Sequence, residues 1–537
     1  MSFPRSSGLL LHPTSLPGPF GIGDFGPEAY EFADFLATAG QSIWQMLPLG
    51  PTGYGDSPYQ CFSAFAGNPA LISLARLVDE GLLSARDIED FPQFSIDQVD
   101  YAHVNEFKRQ TLCLAVQHFV ASAPEDTRRR FDDFKEAEKA WLPDYSLFRV
   151  LKDKFGGVAW PKWNREFVQR EPAALARARK EFSREISAQE FLQFVFFDQW
   201  CALKNYCRDK NIRVMGDLPI YVAHDSADVW THPEYFCLDQ NGNAEKIAGV
   251  PPDYFSATGQ LWGNPIYRWD RMAADGYSWW VERFRSAFRI FDMLRVDHFR
   301  GFEAYWEVPA GEKTAQNGKW IKGPGEKLFA SVEAKLGSLP ILAENLGVIT
   351  PEVEGIRNRF SFPGMAILQF AFGNDPQGPS FRPHNYPRNV VAYTGTHDND
   401  TIVGWWTSRP GEGSIRTEDD IRKEREFTRA YLHLDTEDIN WVFIRTLMAS
   451  VADTVIFPVQ DVIGAGADAR MNTPGTATGN WRWRLREEAL DEEMAARLRE
   501  LARLYDRLPP CSNHAVARSS SAGADFLDAK LRRRQRL

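Results

Sequence analysis

Eight short apolar runs, several of them separated by amphipathic helical patterns, constrain this chain more than any other feature. They lie at Ser7–Pro13, Ser42–Pro48, Ile212–Asp217, Phe291–Asp297, Leu339–Glu344, Met365–Phe370, Asn389–Thr394 and Asp453–Pro458. Runs such as Phe291-Asp-Met-Leu-Arg-Val-Asp297 fit strands buried on both faces, as strands in parallel sheets are. Between the first two runs, Glu28–Ala39 places Phe32, Phe35 and Leu36 on one helical face, which makes a strand–helix–strand unit. Further helical patterns cover Gly276–Arg289, Pro324–Lys335 and Asp419–Ala449. The fold class expected is α/β, a (β/α)8 TIM barrel.

The barrel occupies 1–508 and carries two expected insertions. Residues from about 75 to 209 read as helical and charged, with an aromatic stripe at Phe191, Phe194 and Val195 that is core rather than a ligand box. Residues from about 225 to 275 read as loop-rich. Leu485–Leu508 reads as a charged terminal helix, so no C-terminal β-sandwich is expected, and 509–537 reads as a flexible, solvated tail.

With a net charge of −10 and a pI near 5.6, the chain offers nothing to nucleic acid or an anionic membrane. Its 17 Trp, many in Gly/Pro-rich turns, suit flat neutral ligands such as sugar rings. The cysteines at 61, 113, 201, 207, 237 and 511 form no CxxC pair, which points to a reducing compartment and no zinc. No apolar run suits a signal peptide or a membrane span, so a cytoplasmic location is expected. Gly464–Ala469 fits a dinucleotide fingerprint but lacks the following βαβ unit. Asp239–Asn243 resembles the start of a calcium loop but has Val250 where the bidentate Glu belongs, and a hairpin turn explains it.

Three runs finish on or just before a carboxylate: Asp297, Glu344 and Asp398. Parallel barrel strands gather such tips at one mouth, where barrel enzymes keep their chemistry. Crowded carboxylates repel, so one takes a raised pKa and serves as an acid near neutral pH. A nucleophile and an acid/base ~5–5.5 Å apart is the equipment for glycosidic cleavage with retention.

Arg295-Val-Asp-His-Phe-Arg-Gly301, Ala343-Glu-Asn-Leu-Gly347 and Thr396-His-Asp-Asn-Asp400 resemble the catalytic segments of the alpha-amylase superfamily. More narrowly, Asp56-Ser-Pro-Tyr-Gln60, Gly216–Val222, Gly249–Pro265 and Arg470–Arg484 are similar to the amylomaltases, bacterial 4-alpha-glucanotransferases related to plant disproportionating enzyme. The resemblance implies Asp297 as nucleophile, Glu344 as acid/base and Asp398 as the carboxylate that stabilises the distorted sugar. It implies that Arg295 keeps Asp297 ionised and that His397 and Asp217 bind the sugar being cleaved. Ser57, Tyr59, Trp262, Asn472, Pro474, Gly475 and Trp481 fall in matching segments around neighbouring subsites, as do Asp253, Tyr254 and Phe255. Asp217 is followed by Leu-Pro-Ile-Tyr rather than the Asn-His of calcium-binding amylases, so neither metal nor organic cofactor is expected.

The function so implied is transfer of alpha-1,4-glucan segments to the 4-OH of an acceptor glucan or glucose, with malto-oligosaccharides as partners. An alpha-glucan hydrolase on the same barrel and an inactive glucan-binding protein are the alternatives. Transfer requires an acceptor hydroxyl to out-compete water. The 249–265 loop, with Pro251, Pro252, Tyr254, Phe255 and Trp262, is expected to act as a lid on the acceptor side.

Overall fold

Each of the eight runs contains a strand, and all eight pair in parallel. In chain order they are β1 (Ser6–Leu10), β2 (Ile43–Gln45), β3 (Arg213–Pro219), β4 (Met293–Asp297), β5 (Ile341–Ala343), β6 (Gly364–Ile367), β7 (Val390–Tyr393) and β8 (Thr454–Pro458). A computed structural model describes residues 3–252, 256, 258–411, 416–434 and 438–510. The sheet runs β6-β7-β8-β1-β2-β3-β4-β5. It closes where the Ala343 amide, at the end of β5, donates to the Pro363 carbonyl just before β6 at 2.9 Å. The fold is the (β/α)8 barrel.

Side-chain alternation sorts every strand into an inner and an outer face. Leu10, Ile43, Met215, Met293, Leu342, Val391, Tyr393 and Ile456 meet in the barrel interior. Leu9, Trp44, Val214, Leu294, Val296, Ala392, Val455 and Phe457 face the surrounding helices. The same period puts Arg295 and Asp297 on the inner face of β4 with Met293, and Asp217 on the inner face of β3 with Met215. The β3–β4 register sets Asp217 directly opposite Arg295. Across the interior, the Tyr393 hydroxyl donates to Gln45 Oε1 at 2.8 Å.

The 75–209 segment is helical, as expected, and its aromatics form core contacts; Phe119 and Phe191 stack at 4.2 Å. Its last helix, Ser183–Asp209, is not confined to the insertion. Trp200 donates to the Ile290 carbonyl and packs on Phe25 and Phe291, so this end of the helix covers the barrel.

Two expectations change. Residues 225–275 are not mainly loop: Lys246–Val250 and Gln260–Pro265 join Ala304–Pro309 and Lys319–Lys322 in a four-stranded antiparallel sheet beside the mouth. Lys246–Val250 pairs with a strand some sixty residues later, and no local pattern announces that pairing. The terminal helix spans Glu492–Leu504 rather than 485–508, because Asp491 caps it by accepting from the Met494 amide at 2.8 Å. Beyond it, the fully buried Arg507 guanidinium donates to the carbonyls of Ser6, Met448 and Ala452, tying the helix end to β1 and to the approach to β8. The Asp239–Asn243 segment is a turn: Asp239 accepts from the amides of Asn241 and Asn243, and Leu238 bridges Ala244.

Candidate active site

One buried guanidinium organises the strand tips. Arg295 Nη1 donates to Asp217 Oδ2 at 2.6 Å and to Asp297 Oδ1 at 2.8 Å. Burial alone would lower the arginine, but Asp217 and then Asp297 outweigh it and hold the charge well above its ordinary range. The Asp217 side chain is 0% exposed and that of Asp297 28%. Only Asp297 of these two therefore faces the solvent side of the mouth.

Glu344 stands just beyond β5 and leans against the same tip. Its Oε2 accepts from the His298 amide and its Oε1 from the Leu346 amide, each at 2.8 Å. Burial pushes its carboxyl up to about 7, and the Asp297 charge adds to that; Arg295 and the two amides oppose it. A carboxylic acid that holds its proton near neutrality thus sits beside a carboxylate bound to arginine.

Asp398 is reached from the other side through a continuous polar chain. The Tyr59 hydroxyl donates to Asp217 Oδ2 at 2.7 Å and lies 2.9 Å from His397 Nε2. With the phenol proton on Asp217, His397 must carry its proton on Nε2 to complete the chain. His397 Nε2 also lies 3.4 Å from Asp398 Oδ1. Asn472 Nδ2 donates to that same oxygen at 2.6 Å, and Arg470 Nη2 to the Asp398 carbonyl at 2.7 Å. The 470–472 segment is therefore a clamp on the Asp398 loop.

This arrangement changes several expected placements. Asp217 was expected to bind sugar, but its side chain is fully enclosed between Arg295 and Tyr59. Asn472 spends an amide proton on Asp398. Trp481, expected at a subsite, is only 5% exposed and packs beneath Tyr59 and His397, with ring centroids at 5.8 and 5.9 Å. Its bulk and its left-handed backbone, φ 64°, suit it to supporting those rings. Trp262 does reach the mouth, edge-on to the His298 ring at 4.8 Å. Ser57 accepts from the Tyr59 amide, shaping the turn that delivers Tyr59. Pro474 and Gly475 lie in an exposed turn, in the segment whose Ala477 carbonyl approaches Gly55. Asp253, Tyr254 and Phe255 lie outside the described residues, as does the expected tail from 511 onward.

Three further residues belong to the site. His298 takes a left-handed backbone, φ 50°, directly after Asp297; burial lowers its ring to about 4, so it is neutral at pH 7. Asp461, just past β8, accepts from the Thr394 hydroxyl at 2.5 Å and the Ile402 amide at 2.8 Å; burial raises it to about 6. His12, just past β1, is buried near His397 and lowered to about 3 by burial. Position beyond a strand tip was the available signal for all three. Among the described residues, no group of three or more His, Cys, Asp or Glu side chains is arranged to hold a metal.

Comparison with known proteins agrees with this geometry. The glycoside hydrolase family 77 model, described as 4-alpha-glucanotransferase, matches residues 11–490. A 4-alpha-glucanotransferase of Synechocystis sp. is 49% identical over 94% of this chain and 98% of its own length. That of Thermus thermophilus is 49% identical over 95% of this chain and its whole length. The solved structure of an amylomaltase from Streptococcus agalactiae, in complex with acarbose, is 44% identical, covers 94% of this chain and 100% of its own, and superposes with a TM-score of 0.89.

Proposed function

We propose that this chain, which belongs to the glycoside hydrolase family 77 of 4-alpha-glucanotransferases, breaks and re-forms glycosidic bonds by double displacement at Asp297. It is an enzyme, a 4-alpha-glucanotransferase that acts on alpha-1,4-glucans. The observation that supports the residue assignment is the pairing of Glu344, protonated near neutrality, with Asp297 held by Arg295.

In the first displacement Glu344 gives its proton to the glycosidic oxygen while an Asp297 oxygen attacks the anomeric carbon. The carbon–oxygen bond to the leaving glucan breaks as the bond to Asp297 forms. Asp398, aimed by Asn472 and His397, faces the positive charge that develops on the ring. In the second displacement Glu344, now ionised, takes the proton from an acceptor 4-OH, whose oxygen replaces Asp297 on the anomeric carbon. Two inversions leave the configuration retained. Trp262 and Tyr59 supply flat faces for the sugars on either side of the bond.

Malto-oligosaccharides are the proposed donors and acceptors. Nucleic acid and membranes are not proposed partners, and among the described residues no helix is long and apolar enough to cross a membrane. A cytoplasmic setting fits the five described cysteines, all of them free. Incubation with maltotriose tests the reading. Glucose together with oligosaccharides longer than maltotriose is expected; glucose and maltose alone would make it a hydrolase, and unchanged substrate a binding protein.

A further inference from the structure

A second cavity, sharing no lining residue with the groups above, opens where the helical insertion meets the barrel. It has a volume of about 210 Å³ and lies among the loop at 63–65, the helix Leu142–Lys154, the helix Ala227–Thr231 and the start of the helix Ser278–Ile290. Its walls are aromatic. Phe65 and Trp141 stand nearly parallel, 6.4 Å apart at 16°, and Trp279 meets Phe65 edge-on at 6.1 Å.

Three polar atoms on these walls are buried and have no hydrogen-bond partner among the described residues: Tyr145 Oη, Thr231 Oγ1 and Trp279 Nε1. Tyr145 is 1% exposed and Trp279 7%. Buried polar groups are nearly always paired, so three orphans converging on one aromatic cavity mark a place built for something else to complete. Asp144 and Asp228 also line it; Asp144 is held by Arg170 and Arg179, and Asp228 by the Ala64 amide.

The chemistry of these groups narrows the occupant. The indole N–H is a donor only and needs an acceptor, which an ammonium group lacks. The two carboxylates disfavour an anion. An apolar guest would leave all three orphans unpaired. A sugar ring satisfies every requirement, because its hydroxyls both donate and accept and its C–H faces stack on aromatic rings. The cavity exceeds the ~150 Å³ that admits benzene, which is room for one six-membered ring with its hydroxyls.

We propose that this cavity is a second sugar site that takes one neutral pyranose, such as free glucose, against Phe65, Trp141 and Trp279. It does not rest on the roles given to Asp297, Glu344 and Asp398. A sugar bound there touches Ser63 and Phe65, in the same loop that carries Tyr59 into the active site.

Calorimetric titration of the full chain with glucose tests it, since glucose has no glycosidic bond and cannot be turned over. Two glucose molecules per chain are expected, one in each site. Tyr145→Phe removes a hydroxyl that the fold does not use, so it should weaken one of the two sites by at least roughly tenfold. It should leave Tm within about 2 °C and maltotriose turnover within about twofold. Ala140→Trp, at the exposed rim, should abolish the same site by plugging it. A glucose-soaked crystal should show a ring between the aromatic walls. One glucose or none per chain, two sites indifferent to both substitutions, or a cavity holding only water would overturn the proposal.

Discussion

The pH dependence of the first displacement follows from where Glu344 sits. Holding its carboxyl at about 7 instead of the ordinary 4.5 is a preference of roughly 3 kcal/mol for the protonated form. The proposed acid is then about nine-tenths protonated at pH 6 and about one-tenth at pH 8, so kcat/KM should fall about tenfold across that interval. An unperturbed carboxyl would be only ~3% protonated at pH 6 and ~0.03% at pH 8, a fall of about a hundredfold from an already low value. The assay is the initial rate of glucose release from maltotriose, taken at low substrate so that kcat/KM is read. A break near pH 7 is expected in log kcat/KM, and Glu344→Gln should lose that break along with about 10²–10⁴ in rate. Stability supplies a second readout with a defined sign. Because the folded pKa is raised, the contribution of Glu344 to stability is complete below about 4.5 and is lost as pH rises through about 7. Urea unfolding should therefore show wild type losing up to roughly 3 kcal/mol relative to Glu344→Gln between about pH 5 and pH 8. A break near 4.5, or identical pH slopes of stability in the two proteins, would refute the assignment of Glu344 as the buried acid.

Asn472→Ala removes the donor to Asp398 Oδ1 and should lower kcat for maltotriose about 10- to 100-fold with little change in KM, since hydrogen bonds to charged groups contribute ~1.5–3 kcal/mol; an effect confined to KM would instead make Asn472 a sugar contact. Arg507→Met strips a fully buried guanidinium from the carbonyls that join helix Glu492–Leu504 to β1 and should cost about 3–5 kcal/mol in urea unfolding, with kcat unchanged in the folded fraction. Gly216→Ala sets a Cβ 2.1 Å from the Phe291 ring, one residue from Asp217, so the backbone of β3 must move; Tm and kcat should fall together, and a native-like kcat would show that the ring yields instead.

The barrel was legible in the sequence because a strand buried on both faces writes itself as an unbroken apolar run, and eight such runs in order leave few other folds. The strand tips were legible for the same reason: a charge ending an apolar run has nowhere to go but the mouth. What the sequence concealed depends on contacts between distant segments. Lys246–Val250 and Ala304–Pro309 are short and rich in residues that turns also favour, and only their mutual pairing makes them strands. Asn472 and Trp481 were placed at subsites by resemblance, yet each is turned toward protein. The Asn472 amide finds Asp398, more than seventy residues back, and the Trp481 ring fills the space beneath Tyr59 and His397. A residue type suited to sugar is equally suited to holding whatever touches sugar, and sequence does not separate the two.

The division between nucleophile and acid can be traced to strand register. Asp217, Asp297 and Glu344 crowd around one cation, so the cluster has reason to keep a proton, and something must decide which carboxyl takes it. Arg295 decides by reach. It shares the inner face of β4 with Asp297, two residues on, and the β3–β4 pairing sets it opposite Asp217, so both receive its N–H bonds. Glu344 lies one strand further round and receives only two backbone amides, which do not offset its burial. The proton therefore settles on Glu344. A slip of one residue in β4 would turn Arg295 and Asp297 outward together, and the same three carboxylates would lose both the cation and the asymmetry that divides the work between them.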